Sequence, residues 1–321
     1  MLAEAAAGTS QNHPLGQFCA LATALVWAFA LVLFKLSGER ITPIALNLYK
    51  NAIGLALLLV TLAVLILLGQ ESLEPLRERT FWEIGILLLS GVLGIAVADS
   101  LFFHALNLIG LGLISIVDCC YAPIAILFSW LLLGEKLTAA HYVGAALIVA
   151  AVFTASQHAR PFDRTRRQII GGMLLAVLAI ALMAFGIVMA KPVLERTPVV
   201  WSTTLRLAAG FAFLALFTFR RPDWRRHWTV FRPARSWRFA LPGSILGTYV
   251  CLLLWVAGFK FTYASVAAVL NQTSVIFQSI LAAFVLKEPY GRRQVTALLL
   301  GIAGIAVVRF GDQLAAALTA P

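Results

Sequence analysis

Ten stretches of the chain are continuously apolar for about the 20 residues that a helix needs to cross the hydrocarbon of a bilayer. They run Leu15–Leu36, Pro43–Leu68, Phe81–Asn107, Leu111–Leu133, Thr138–Ser156, Gln168–Lys191, Pro198–Phe219, Phe239–Phe259, Tyr263–Leu286 and Gly291–Phe310. None alternates polar with apolar, so barrel strands are excluded and helices remain. Charge collects in the short segments between them. The chain is 61% hydrophobic, 12% charged, with a mean hydropathy of +0.91; soluble domains sit nearer half apolar and a quarter charged. The expected fold is therefore an all-α integral membrane protein of ten transmembrane helices. The opening residues lack the basic n-region of a cleaved signal, and the first apolar run is long enough to span.

The longest connection, Arg220 to Arg238, leaves no room for a soluble catalytic domain. From Arg220 to Phe239 it holds seven arginines and three tryptophans, a mixture suited to anionic headgroups and the interface. The net charge of +11 is read as membrane-surface charge, not as a nucleic-acid site. The cysteines Cys19, Cys119, Cys120 and Cys251 fall inside spans, and adjacent Cys119 and Cys120 have no metal-ligand spacing; they read as packing residues. No metal, cofactor or catalytic set is expected.

An internal repeat runs through the chain. Trp27 to Lys35 aligns with Met183 to Lys191; without a gap, Lys50 then falls on Arg206 and Gly54 on Gly210. At a slightly different offset Gly94 falls on Gly247, Asp118 on Asn271, Leu133 on Leu286 and Glu135 on Glu288, while Leu252 stands where Asp99 would be. The expected units are residues 1–156 and 168–321, five helices each, joined by the arginine-rich connection 157–167. Five is odd, so the second unit lies upside down relative to the first. Inverted repeats are a signature of secondary transporters.

The pattern from Tyr121 to Ala151, with its helix-four proline, its Leu-Gly-Glu at the helix end and its helix-five glycine, resembles the drug/metabolite transporter superfamily in its ten-helix EamA-like branch. The second copy matches less well, with Ile276 in place of Pro123 and Lys287 in place of Gly134. The resemblance covers about Leu15 to Phe310. It implies a central cavity lined by helices one to four of each half, with the fifth and tenth peripheral.

Polar residues inside spans are costly, about 2.5–3.5 kcal/mol for a charge at a helix centre on insertion scales. Lys50, Asp99 and Asp118 lie roughly 10–12 Å below one face at 1.5 Å per residue. They are expected to form an ion layer or gate there, with Lys50 relying on Asp118. Arg206, with Asn271 and Gln272, is expected to form the corresponding layer near the opposite face. Trp27 and Tyr121 complete the candidate substrate and ion pathway. Lys35, Lys191 and Lys260 sit near span ends and are expected to snorkel; His104 reads as packing or interface, and Glu135 and Glu288 as structural.

These features favour a secondary transporter of a small metabolite or drug-like solute, an exporter working by alternating access in a cell membrane. Asp99 and Asp118 are the candidate proton carriers, and no P-loop supplies an ATP site. The alternative is an intramembrane lipid- or prenyl-modifying enzyme, disfavoured because there is no Asp-rich motif and no HExxH. On orientation two indications disagree. Lys and Arg in connections and termini number seven on the face carrying the N-terminus and sixteen on the other. The positive-inside rule thus puts both termini outside; the resemblance implies that they are inside.

Overall fold

A computed structural model describes residues 14–38, 41–72, 74, 78–134, 139–156, 165–232, 237–288 and 291–319. The connection 157–164, together with Glu135 and Lys136, lies outside the described residues. The chain builds helices α1 (Pro14–Gly38), α2 (Pro43–Leu67), α3 (Phe81–Gly91), α4 (Asp99–Asp118), α5 (Tyr121–Leu133) and α6 (Ala139–Ser156) in its first half. The second half contributes α7 (Arg166–Arg196), α8 (Val199–Phe219), a short α9 (Trp224–Trp228), α10 (Trp237–Ser244), α11 (Cys251–Phe261), α12 (Ala264–Asn271), α13 (Ser274–Phe284) and α14 (Arg292–Thr319). Among the described residues, seven helical runs are long and apolar enough to cross a membrane. Three shorter apolar helices, Tyr121–Leu133, Tyr142–Ala151 and Val295–Val307, accompany them. The molecule is an all-helical, multi-pass membrane protein.

Local chemistry sets the ends. Pro43 follows Thr42 at the start of α2, where a missing N–H costs nothing. Thr80 and Glu83 form a capping box at α3, as do Thr165 and Gln168 at α7. The run from Phe81 to Asp118 is not one rod, because Gly110 takes φ 78° and ψ 169° and turns the chain. The carboxylate of Glu288 caps the helix that restarts there, accepting from Leu111 N at 3.0 Å and Gly112 N at 2.7 Å. Glu288 is thus structural, as its position at a helix end suggests.

Two irregularities recur in both halves and are invisible in hydropathy. A π-helical segment, Val92–Ala98, joins α3 to α4, and another, Ile245–Val250, joins α10 to α11. A tight turn also splits the fourth span after Asp118 and the ninth after Asn271. There Cys119 N and Cys120 N reach back to Ile116 O and Val117 O, and Gln272 N and Thr273 N to Val269 O and Leu270 O. These are i→i−3 bonds, the tightened pattern of a 3₁₀ turn. Pro123 lacks a donor just past the first break; the second breaks without a proline, at Ile276.

Packing follows the repeat. Helix α1 lies against α10, α11 and α13, and α7 lies against α3, α4 and α5; α2 packs on α8, and α6 on α14. Close crossings use small residues. A Cβ on Gly91 would collide with the backbone carbonyl of Arg206, so α3 and α8 touch main chain to main chain. No described residue of α6 or α14 lines the central cavity.

The lysines near span ends do not simply snorkel. Lys35 Nζ donates to Leu106 O at 3.2 Å, and Lys191 Nζ to Phe259 O and Thr262 O at 2.9 Å each, with Glu195 2.9 Å away. Leu106 and Phe259 are repeat equivalents, so both lysines serve the carbonyl end of the third span in their own half. A cation there meets both unpaired carbonyls and the negative pole of the helix. Lys260 Nζ does likewise for Thr197 O at 2.6 Å. In the arginine-rich connection, Trp228 stacks on Phe219 at 4.4 Å and Trp237 packs on Tyr49 at 5.2 Å. Trp224 also packs on Phe219, at 5.5 Å, so all three of its tryptophans fasten it to the bundle, while Arg225 and Arg226 stay exposed.

Candidate functional site: a central cavity between the halves

Asn47, Lys50, Asn51 and Gly54 recur at i, i+3, i+4 and i+7, which puts them on one face of α2. That face meets the π segment Val92–Ala98, whose wider turn takes carbonyls off the regular ladder. Asn47 Nδ2 donates to two of them, Ile95 O at 3.0 Å and Ala96 O at 3.1 Å, and also approaches Ser100 Oγ at 2.9 Å. Asn47 Oδ1 accepts from Asn51 Nδ2 at 3.0 Å, and Asn51 Oδ1 accepts from Lys50 Nζ at 2.9 Å. The chain of bonds ends at Asp99, whose Oδ2 lies 2.7 Å from Lys50 Nζ. The ammonium also sits 5.7 Å from the Phe103 ring centre. Each polar group here answers another, the condition under which a buried ion pair persists in apolar surroundings.

Asp118 is not part of this network, which corrects the expected three-residue layer. Its Oδ2 accepts from Gln278 Nε2 at 3.0 Å, and that amide also reaches Ser274 Oγ at 3.1 Å. A shared depth fixes height along the membrane normal but not position around the bundle. Asp118 ends α4 at the mid-span break and faces α13 of the other half, so Lys50 relies on Asp99 instead.

The second expected layer also separates. Arg206 is fully buried in α8. Its Nε donates to Ser90 Oγ at 2.9 Å, and its guanidinium carbon lies 5.4 Å from the Trp255 ring centre. Its terminal nitrogens Nη1 and Nη2 have no hydrogen-bond partner among the described residues. Asn271 and Gln272 do not bond to it; they face a cavity, and Asn271 Oδ1 and Gln272 Oε1 are themselves without partners among the described residues.

That cavity, about 100 Å³, brings most of the candidates together. Trp27, Lys50, Asp99, Asp118 and Tyr121 line it from the first half, and Asn271 and Gln272 from the second. Arg206 stands behind the wall. His104 is exposed and does not line it. Several lining residues lie outside the candidate set. Thr248, Cys251, Leu252 and Trp255 recur at i, i+3, i+4 and i+7 and form one wall. The repeat held the signal, since Leu252 and Trp255 are the equivalents of Asp99 and Phe102. Gln278, the partner of Asp118, was visible only as a polar residue inside a span.

A helical bundle with two like halves, breaks in equivalent helices and, between them, a largely apolar cavity carrying a few charged and amide groups is a transporter-type membrane fold. The EamA-like transporter family matches the chain twice, over residues 14–157 and 170–310. The chain belongs to that family. It is similar to two proteins of Bacillus subtilis (strain 168). The uncharacterized transporter YoaV is 29% identical over 143 residues, 44% of this chain and 47% of its own length. The uncharacterized transporter YvbV is 28% identical over 250 residues, 76% of this chain and 77% of its own length. The match to the first thus spans about half of that relative. A solved crystal structure superposes over 95% of this chain and 99% of its own with a TM-score of 0.69 at 20% identity, a likeness of fold.

Proposed function

We propose that this protein is a secondary transporter, not an enzyme, which exports a small metabolite or drug-like solute across a cell membrane by alternating access. Ten crossings, arranged as inverted units 1–156 and 168–321 around the connection 157–167, supply the two bodies that rock. The observation that carries the reading is the cavity built from equivalent elements of both halves. It holds two acids, a lysine and amide oxygens unpaired among the described residues, beside the aromatic walls of Trp27, Tyr121 and Trp255. Such a site can hold a partly polar solute, and its position between two bodies lets their relative motion change which side it faces. A solute shifts that equilibrium only by binding one state more tightly than the other.

Asp118 is the proposed proton carrier. Asp99 is engaged by Lys50, whereas among the described residues Asp118 hydrogen-bonds a neutral amide from the opposite half, so a change in its charge acts directly on a contact between the two bodies. The test is purified protein in sealed vesicles, offered amino acids, nucleosides and cationic drugs under imposed pH gradients. Uptake or counterflow without ATP is expected; a strict ATP requirement for the chain alone removes the reading.

A further inference from the structure

The described buried cations are not treated alike. Lys50 has Asp99 and Asn51, and Lys191 has two carbonyls and Glu195. Arg206, the most completely buried of them, has Ser90 Oγ on Nε and the face of Trp255 beneath it. A guanidinium offers five N–H groups, and the four on Nη1 and Nη2 find nothing among the described residues. The acid that would answer them by the repeat is replaced by Leu252, and the bonded oxygen of Asp99 is held by Lys50. The Asp99 carboxylate acts on Arg206 electrostatically but makes no hydrogen bond to it among the described residues. Open donors on a buried cation are a costly kind of polar burial, and a planar fork with its outer edge free is the group best suited to a carboxylate.

The guanidinium lies just behind the cavity wall, against two lining residues, Gly94 and Trp255. Gly94 lines the cavity, and a Cβ placed on it would stand 3.8 Å from Nη2, with Met183 Cα the next atom at 4.0 Å. The wall between the guanidinium and the cavity is therefore one glycine thick, and Trp255 forms both the adjoining wall and the floor under the charge. We propose that Arg206 receives a small monovalent anion, a solute carboxylate or chloride, that reaches it from the cavity past Gly94. The proposal rests on the transport reading only in taking the cavity as the route of arrival.

Thermal unfolding of the purified full-length protein in detergent tests it, at constant ionic strength. Acetate, lactate and benzoate are compared with acetamide, lactamide and benzamide, and chloride is titrated separately. The expected result is a saturable rise in melting temperature with at least one carboxylate and none with its amide. Arg206→Gln and Gly94→Ala lose the rise, and Arg206→Lys keeps part of it. A saturable rise with chloride alone, lost in the same variants, supports the site and names chloride as its occupant. Where Arg206→Gln does not fold, Gly94→Ala carries the test, because it leaves the guanidinium in place and puts a methyl group in front of it. No saturable rise with any of these anions, or a rise that survives Gly94→Ala, overturns the proposal. The readout needs no transport. An anion effect in a protein that moves no solute keeps the site and removes the transport reading, and transport without an anion effect does the reverse.

Discussion

In the first half, Lys50 reaches from α2 to Asp99 at 2.7 Å and is steadied by Asn51 and, through it, Asn47. In the second half, Arg206 occupies the equivalent place on α8 and finds Leu252 where the acid would stand, with no amide network behind it. The two halves share the cation but not the acid that answers it. The first arrangement is self-sufficient, and its polar groups bind the π segment of the third span to α2. The second leaves donors open beside the cavity. Divergence between the halves, more than their likeness, thus shows where a solute is to be met.

Four experiments break or sharpen that contrast, from the largest effect to the smallest. Asp118→Asn makes the breaks of the two halves alike, since Asn271 is the equivalent residue. It keeps an oxygen for Gln278 and removes the proton, so movement driven by a pH gradient in vesicles should disappear while counterflow persists. Gradient-driven movement at the wild-type rate would show that Asp118 carries no proton. Next, Asp99→Leu strands Lys50 and should cost about 3–5 kcal/mol of stability, most of it recovered when Lys50→Met is added. Denaturant unfolding in detergent reads this, and additive single effects would mean that the pair is not the unit described.

Leu252→Asp offers Arg206 the missing carboxylate. It should be tolerated better in the wild-type background than beside Arg206→Gln, by about 1–3 kcal/mol in a double-mutant cycle. A zero coupling would mean that the two positions do not meet as their equivalents do. Last, Asn47→Ala leaves the carbonyls of Ile95 and Ala96 without their amide and should cost about 1–3 kcal/mol. Thr203 stands at the equivalent place and bonds only within its own helix, at Val199 O. Its change to alanine should cost less, and equal costs would remove the asymmetry between the supports of the two π segments.

Most of the fold was legible because hydrocarbon imposes it. Continuous apolar runs located the helices to within a few residues at most ends, and matches at polar positions exposed the repeat. α7 runs to Arg196, five residues past the expected Lys191, because Lys191 and Glu195 form an i, i+4 pair that carries the helix onward. The π segments and the mid-span turns could not be read, since neither alters hydropathy and only Pro123 marks one of them. The candidate site was legible as a set of costly residues but not as a set of pairs. Lys50 with Asp99 needed the position of each side chain around its helix, which a depth count cannot supply. Gln278 and Trp255 were passed over because an amide or an aromatic in a span has many ordinary uses.

The Glu288 cap has a consequence for biogenesis. The amides of Leu111 and Gly112 emerge from the ribosome 177 and 176 residues before the carboxylate that satisfies them. Until the second half is made, the restart after Gly110 must keep those donors in water, at a headgroup or against a chaperone. The first half, however apolar, thus lacks the carboxylate cap of its own fourth span until nearly the whole protein has been translated.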